Sequence, residues 1–258
     1  MDWDDYETLL NNIHFRGLGW PELRWMFTTF HMGHYQPLSW LTFSLDYLIW
    51  GMNPVGYHLT NLILHAANAA VFFFLCRQIF IVSLPFPASE PGHGIDLAAA
   101  VAALLFSIHP LRVESVAWAT ERRDGLSGLF FLIMLYAYFR ASASAANRSH
   151  RGWLLISISA FVLSLLAKAT AITAPAVLLL LDLYPLRRLS GPWRSWFGPG
   201  GRQILWEKVP FALFALLFGA LAIVAQHEAG ALRPVQQYFF SYRLGQAFYG
   251  VMFYLWKS

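Results

Sequence analysis

Charge is what this sequence has least of. Asp, Glu, Lys and Arg make up 12% of its 258 residues, whereas hydrophobic residues make up 57%. A soluble domain carries about 25% charged residues, so half that share points to a bilayer as the solvent for most of the chain. Cysteine is almost missing as well. The single one, Cys76, sits inside an apolar run, which excludes a disulfide framework and a CxxC metal site. No acidic or histidine cluster has metal-ligand spacing, so no metal is expected. A basic stripe is also lacking. The net charge of +4 comes from cations scattered through short loops, a pattern that orients a membrane protein rather than gripping nucleic acid. The opening MDWDDYETLLNN reads without the apolar h-region of a signal peptide, and no internal repeat is visible.

What the chain has in quantity is apolar sequence of helical length. Crossing the hydrocarbon takes about 20 mostly apolar residues. Candidate spans are His58–Ser83, Leu97–Ile108, Leu126–Arg140, Trp153–Ala167, Ala169–Tyr184, Val209–Gln226 and Leu244–Trp256. Several are short and need tilt or extension into their flanks. The expected fold is an all-α polytopic membrane bundle of about six or seven transmembrane helices. Residues 1–57 are read as a first outer loop and residues 58–258 as the bundle. Within the loop, Trp20–Trp50 is interrupted by charge and rich in Trp, Phe and Tyr, which favour the headgroup level. Short amphipathic helices lying on the membrane surface are the economical reading.

Lys and Arg in short loops set the orientation. The link 140–151 holds Arg140, Arg148 and Arg151 with no acid, and the link 185–208 holds Arg187, Arg188, Arg194, Arg202 and Lys208 against Glu207 alone. Both are assigned to the cytoplasmic side. Alternation then puts residues 1–57, 109–125, the Lys168 turn and 228–243 on the opposite face, periplasmic or lumenal. The first of these is acidic, with Asp2, Asp4, Asp5, Glu7, Glu22 and Asp46 against Arg16 and Arg24.

One connection is far more charged than a turn requires. Between His109 and Asp124 lie Arg112, Glu114, Glu121, Arg122 and Arg123. A solvated loop whose opposite charges pair at helical spacing is one account. Ionisable groups at a membrane boundary mark substrate pathways by default, and guanidinium groups match phosphate oxygens, so an anionic lipid headgroup is the natural ligand. Asp4 and Asp5 are adjacent and cannot share a helix face; either they are a frayed acidic terminus or one points into a site. His58, Asn61, His65 and Asn68 fall at helical offsets and make one polar stripe. Their spacing is wrong for a metal, so hydrogen bonding between helices is the better account. Lys168 either snorkels to the interface or holds a phosphate.

Three stretches carry a family resemblance. HYQPLSWLTFSLDYLIWGMNPVGYHLTNLILHAAN, HPLRVESVAWATERRDGLS and AKATAITAPAVLLLLDLYPL, in that order, resemble the membrane region of the TMTC-like protein O-mannosyltransferases and of bacterial tetratricopeptide-repeat membrane proteins. Both groups belong with the GT-C glycosyltransferases, multi-helix enzymes that use lipid-phosphate sugars. The resemblance implies a GT-C-type bundle in the bacterial inner membrane, or the ER membrane in a eukaryote. It implies no cofactor beyond a polyprenyl-phosphate sugar as donor, with a protein acceptor and membrane lipids as partners.

The resemblance also implies roles. An acidic residue in the first outer loop acts at the GT-C centre, which matches Asp4 and Asp5. Glu114, Arg122 and Asp124 match an E…RxD pattern, and His58, Asn61 and His65 a YHLxNxxxH element. Tyr35, Pro37 and Leu38 match a YRPL-like element in which Gln36 replaces the arginine. The implied centre has Asp4, Asp5 and Glu114 as catalytic carboxylates, and Arg112, Arg122, Asp124, His109 and Lys168 around the donor phosphate and sugar. The first membrane helix expected before WDD and the repeats expected after the bundle are not in the sequence, so a fragment is expected. A lipid or glycan acceptor, a transporter and an inactive scaffold are the rival readings; a transporter would show inverted repeats and broken midplane helices.

Overall fold

The computed structural model describes residues 4–84, 92–144, 148–231 and 239–257. Residues 232–238 of the expected outer loop 228–243, and Asp2, lie outside the described residues. Among the described residues every regular element is helical. After a short wide turn, Tyr6–Leu10, come α1 (Trp20–Thr28), α2 (Pro37–Trp50), α3 (Pro54–Ser83), α4 (His93–Ile108), α5 (Val113–Ala117), α6 (Arg122–Ala143), α7 (Arg148–Ala167), α8 (Ala174–Leu183), α9 (Pro199–Trp206), α10 (Val209–Glu228) and α11 (Phe240–Lys257).

Four stretches are long and apolar enough to cross a membrane: Pro54–Ser83, Arg122–Ala143, Arg148–Ala167 and Pro199–Glu228. A fifth arises if α4 and the segment Pro110–Ala117, bent by 58°, count as one span. This is fewer than the six or seven expected from about 20-residue apolar windows. The Ala169–Tyr184 candidate is a helical turn followed by the 10-residue α8, about 15 Å of helix at 1.5 Å per residue. The Leu244–Trp256 candidate lies in α11, where Ser241, Arg243 and Gln246 dilute the apolar character. Pro110, which has no amide proton to donate, bends the Leu97–Ile108 candidate at its end.

Local chemistry fixes the breaks. In WGMNPVG, Gly51 ends α2 at φ 60, a left-handed value that glycine adopts without penalty. Asn53 then caps α3 by accepting from the Val55 amide at 3.1 Å, and Pro54 occupies the first turn. The expected surface helices of the first loop exist as α1 and α2, but α2 is not a surface helix. Trp40 and Phe43 are fully buried with Leu9, Phe15, Met26 and Tyr57.

The hairpin of α6 and α7 runs in a fixed antiparallel register. Ser164 Oγ donates to the Ser127 carbonyl at 2.8 Å, Ser157 Oγ to that of Met134 at 2.9 Å, and a His150 ring nitrogen bonds the Ala141 carbonyl at 3.0 Å. Small hydroxyl side chains suit close helix packing in a bilayer. Phe139, Phe161, Leu165, Leu178 and Phe211 fill the core between α6, α7, α8 and α10. Large aliphatic side chains elsewhere are exposed, among them Ile63, Leu104, Leu155 and Leu216, which is the surface a lipid-facing bundle needs.

At the arginine-rich end a buried ionic network closes the bundle. Asp182, fully buried, faces Lys208 at 2.6 Å and Arg188 at 3.2 Å, and Arg188 also holds Glu207 at 2.7 Å. Tyr138 donates to Asp182 at 2.7 Å. Removing one partner of a buried pair strands the others. Asp182→Asn is therefore expected to destabilise the detergent-solubilised protein by about 3 kcal/mol, read as a lower thermal unfolding midpoint; an unchanged midpoint would refute the network's role.

Candidate functional site

The opposite end gathers the residues singled out in the sequence. The wide turn Tyr6–Leu10, the loop before α2, the segment 109–124 and the Lys168 turn converge there, although they are far apart in the chain. Asp5 is buried, and its Oδ1 accepts from the Thr120 amide at 2.9 Å and from the Thr120 hydroxyl. Ser39 Oγ donates to the Ala167 carbonyl at 3.0 Å, which fastens α2 to the chain just before Lys168.

Arg122 sits at the centre of this end with 0% exposure. Its Nη2 faces Asp46 at 2.5 Å and donates to the Tyr57 carbonyl at 2.9 Å; Nε donates to Asn61 Oδ1 at 2.9 Å and Nη1 to the Thr42 carbonyl at 3.2 Å. The guanidinium also stacks 4.5 Å from the Phe43 ring. The resemblance suggests a phosphate ligand at this position. Full burial and this set of partners instead make Arg122 the tie between α2, α3 and α6. Asp46 counts in the sequence only as one acid of the first loop, not as the partner of Arg122; the signal for the pairing is a lone acid in the apolar SLDYLIW, which needs a cation once buried.

The next residues form a compact knot. Glu121 takes Arg123 Nε at 3.0 Å and Lys168 Nζ at 3.1 Å, and Lys168 also reaches Asp124 at 2.5 Å. Burial alone would raise the Glu121 carboxyl, but bonds from Arg123 and Asp124 and the charges of Arg123 and Lys168 overcome it and hold it at about 2. His34, missed in the sequence, lies within electrostatic reach of Arg123, Lys168, Glu121 and Asp4. Burial lowers its imidazole first, and the two cations push it further, to about 4, so it is neutral at pH 7. Asp4 is half-buried, unlike its neighbour Asp5.

Beside the knot opens a groove of about 420 Å³, within the size range of small-ligand sites. Its walls carry Arg112, Glu114 and Asp124 with the hydroxyls of Ser115, Ser127, Thr170 and Thr173, and Phe131 on one side. Glu114 is exposed to it. Arg112 lies 4.4 Å from the Phe106 ring, so its charge is held over an aromatic face at the groove mouth. His109 stands apart, lining a second groove of about 280 Å³ with His65 and Arg112, and its Nδ1 accepts the Leu111 amide at 3.3 Å.

The polar stripe on α3 reaches its neighbours. Asn61 Nδ2 donates to the Trp118 carbonyl at 3.0 Å, His65 Nε2 bonds the Ser107 carbonyl at 3.0 Å, and Asn68 Nδ2 donates to the Gly125 carbonyl at 2.8 Å. His58, at the head of the stripe, is half-buried. Among the described residues no group of three His, Cys, Asp or Glu could hold a metal. The structure thus brings together Asp5, Arg122, Asp124 and Lys168, sets Arg112 and Glu114 on the adjoining groove, and leaves His109 in the second groove.

Comparison with known proteins gives one consistent set of relatives. The chain is 32% identical over 200 residues to protein O-mannosyl-transferase TMTC1 of Homo sapiens, covering 71% of this chain and 21% of that protein. It is 34% identical over 157 residues to protein O-mannosyl-transferase tmtc2 of Xenopus laevis, covering 60% and 17%. A third, protein O-mannosyl-transferase TMTC4 of Homo sapiens, is 34% identical over 143 residues, covering 54% and 19%. The chain is TMTC-like. It spans about a fifth of the length of these relatives. No family model matches it, and no solved structure does.

The charge balance at this end has a measurable consequence. Both His34 and Glu121 bind protons less readily folded than unfolded, so stability rises with pH wherever they titrate. As pH falls, stability is expected to drop between about 6.5 and about 4, the ordinary and folded values for His34, and again from about 4.5 to about 2 through Glu121. Thermal unfolding of the solubilised chain across this range checks it; His34→Gln should remove the first step and leave the second.

Proposed function

We propose that this TMTC-like chain carries the membrane-embedded centre of a GT-C-type glycosyltransferase. It moves a sugar, mannose by the names of its relatives, from a polyprenyl-phosphate donor to a Ser or Thr hydroxyl of a protein, on the periplasmic or lumenal face. The observation that carries this reading is the groove beside the Lys168 knot. It offers Arg112, two carboxylates and four hydroxyls, with Lys168 bonded to its Asp124, at one end of an apolar bundle, the mixture that a lipid-linked sugar phosphate demands.

In this reading the donor's isoprenoid lies along the lipid-facing helices and its phosphate sits between Arg112 and Lys168. Asp4 accepts the proton of the acceptor hydroxyl as the oxygen attacks the anomeric carbon. The bond from that carbon to the phosphate oxygen breaks, and polyprenyl phosphate leaves with the bonding electron pair. Negative charge grows on the phosphate as positive charge grows on the sugar ring, so cations fixed beforehand act where the charge develops. Glu114 and Asp124 orient the cations or accept from sugar hydroxyls. Asp5 and Arg122 position the turn that carries Glu121 and Arg123.

Transfer of radiolabelled mannose from polyprenyl-phosphate mannose to a Ser/Thr peptide, in membranes containing this chain, tests the reading. Asp4→Asn is expected to lower the rate by about 10²-fold or more, as for loss of a general base, and Glu114→Gln by a smaller factor. Arg122→Lys is expected to lower stability more than it raises the donor KM. Undiminished transfer by both carboxylate variants would overturn the assignment.

A further inference from the structure

Between the loop before α2, the Lys168 turn and α10 lies a small notch of about 60 Å³, enough for a water-sized group. It is lined by His34, Tyr35, Gln36, Lys168, Phe218 and Gln226. Its polar groups are mostly accounted for. Gln226 Nε2 donates to the Gly33 carbonyl at 2.8 Å, the Tyr35 hydroxyl to the Phe27 carbonyl at 3.2 Å, and Lys168 is shared by Glu121 and Asp124. Gln36 is not: it is 4% exposed, and its Oε1 has no hydrogen-bond partner.

The notch is held in shape from three sides. Met32 and Gly33 both take left-handed backbone angles, φ 53 and φ 76, a conformation that Met adopts only when its surroundings impose it. Gln226 bonds the same turn from α10, and the Gln36 carbonyl accepts the Ser39 and Trp40 amides to start α2. An orphaned amide oxygen in a preformed recess is costly unless something binds there.

We propose that this notch is a hydroxyl-binding subsite of the transferase centre, with Gln36 as a specificity-determining residue that bonds one aliphatic hydroxyl of a substrate. The inference rests on the reading given under Proposed function. An amide presents oxygen or nitrogen according to how it is turned, and a hydroxyl matches either because it both donates and accepts. The nearby cation, Lys168, is assigned to the donor phosphate in that reading, so the notch is left to an uncharged group. The space admits a hydroxyl or hydroxymethyl group. Two substrates of the proposed reaction carry one: the donor sugar and the Ser or Thr acceptor.

The test uses the full chain in detergent, with binding followed by ligand-observed NMR. The probes are methyl α-mannopyranoside and a Thr-containing peptide. Gln36→Leu, close in volume and without polar atoms, is expected to weaken one of the two by about tenfold, the effect of losing one bond to a buried partner. Its thermal unfolding midpoint should be unchanged or higher, since the orphaned oxygen is gone. Loss confined to the mannoside places the donor sugar in the notch; loss confined to the peptide places the acceptor there. Should Gln36→Leu fail to fold, Gln36→Met serves with the same expectation. The inference is overturned if the wild-type chain binds neither probe, or if the folded variant binds both as tightly as wild type does. Wild-type binding that depends on Gln36, without any sugar transfer, would overturn the proposed function and leave the hydroxyl subsite standing.

Discussion

A fully buried guanidinium, 2.5 Å from the Asp46 carboxylate, holds the candidate site together. Arg122 begins α6, Asp46 lies in α2, and Tyr57 and Asn61 belong to α3, so one side chain joins three helices at the end where the polar residues meet. Arg is the residue for such a place, since its planar fork satisfies several acceptors at once and cannot shed its proton. The neighbours depend on it. Glu121 precedes it, Arg123 and Asp124 follow, and each can meet Lys168 or its own partner only because the backbone between them is fixed. Asp5 secures the same turn from the other side through Thr120. Asp5, Asp46, Arg122 and Lys168, from distant parts of the chain, thus come to one end of the bundle without a metal ligand set or a disulfide among the described residues.

The two ends of the bundle are built differently, and the difference matters for chemistry. At the arginine-rich end Asp182 and Lys208 are almost wholly buried and bonded among themselves. Such a network is saturated: each carboxylate oxygen faces a cation or a tyrosine hydroxyl, which suits a lock. At the other end the knot is graded. Glu121 has a side-chain exposure of 7%, Lys168 23% and Asp124 37%, and beyond them Arg112 and Glu114 face an open groove. Charge that grades from buried to exposed can exchange partners, which a binding site requires and a lock must prevent.

Much of the bundle was legible in the sequence, because lipid demands long apolar helices and a chain with 12% charge can hardly answer otherwise. What misled was length. The window ending at Tyr184 is as hydrophobic as many spans, yet a run of apolar residues does not say that one straight helix will contain it, and here it divides into a turn and the short α8. The window ending at Trp256 does lie in one helix, but α11 adds Ser241 and Arg243 just before it. The site was legible as a neighbourhood, not as a set of contacts. Charge between His109 and Asp124 marked the place. Whether Arg122 would face a ligand or Asp46 could not be read, since that depends on a helix 76 residues earlier. His34 was invisible for a related reason: its neutral state comes from burial and from Arg123 and Lys168, all set by tertiary structure.

The grading of the knot also limits how a phosphate can enter it. Glu121 and Asp124 together balance Arg123 and Lys168, so beyond Arg112 on the groove wall an arriving anion must take its second cation from a carboxylate. Between the two partners of Lys168, Asp124 is the one that water already reaches, and its release leaves a carboxylate that can be solvated; releasing Glu121 would strand a buried charge beside Arg123. Under the proposed reaction Lys168 therefore trades Asp124 for the donor phosphate while keeping Glu121. Asp124, freed on the wall of the groove, then faces the sugar side of the same ligand. A single exchange would couple arrival of the donor phosphate to placement of a carboxylate near the sugar, and it needs no movement of the Arg122 anchor on which the surrounding helices rest.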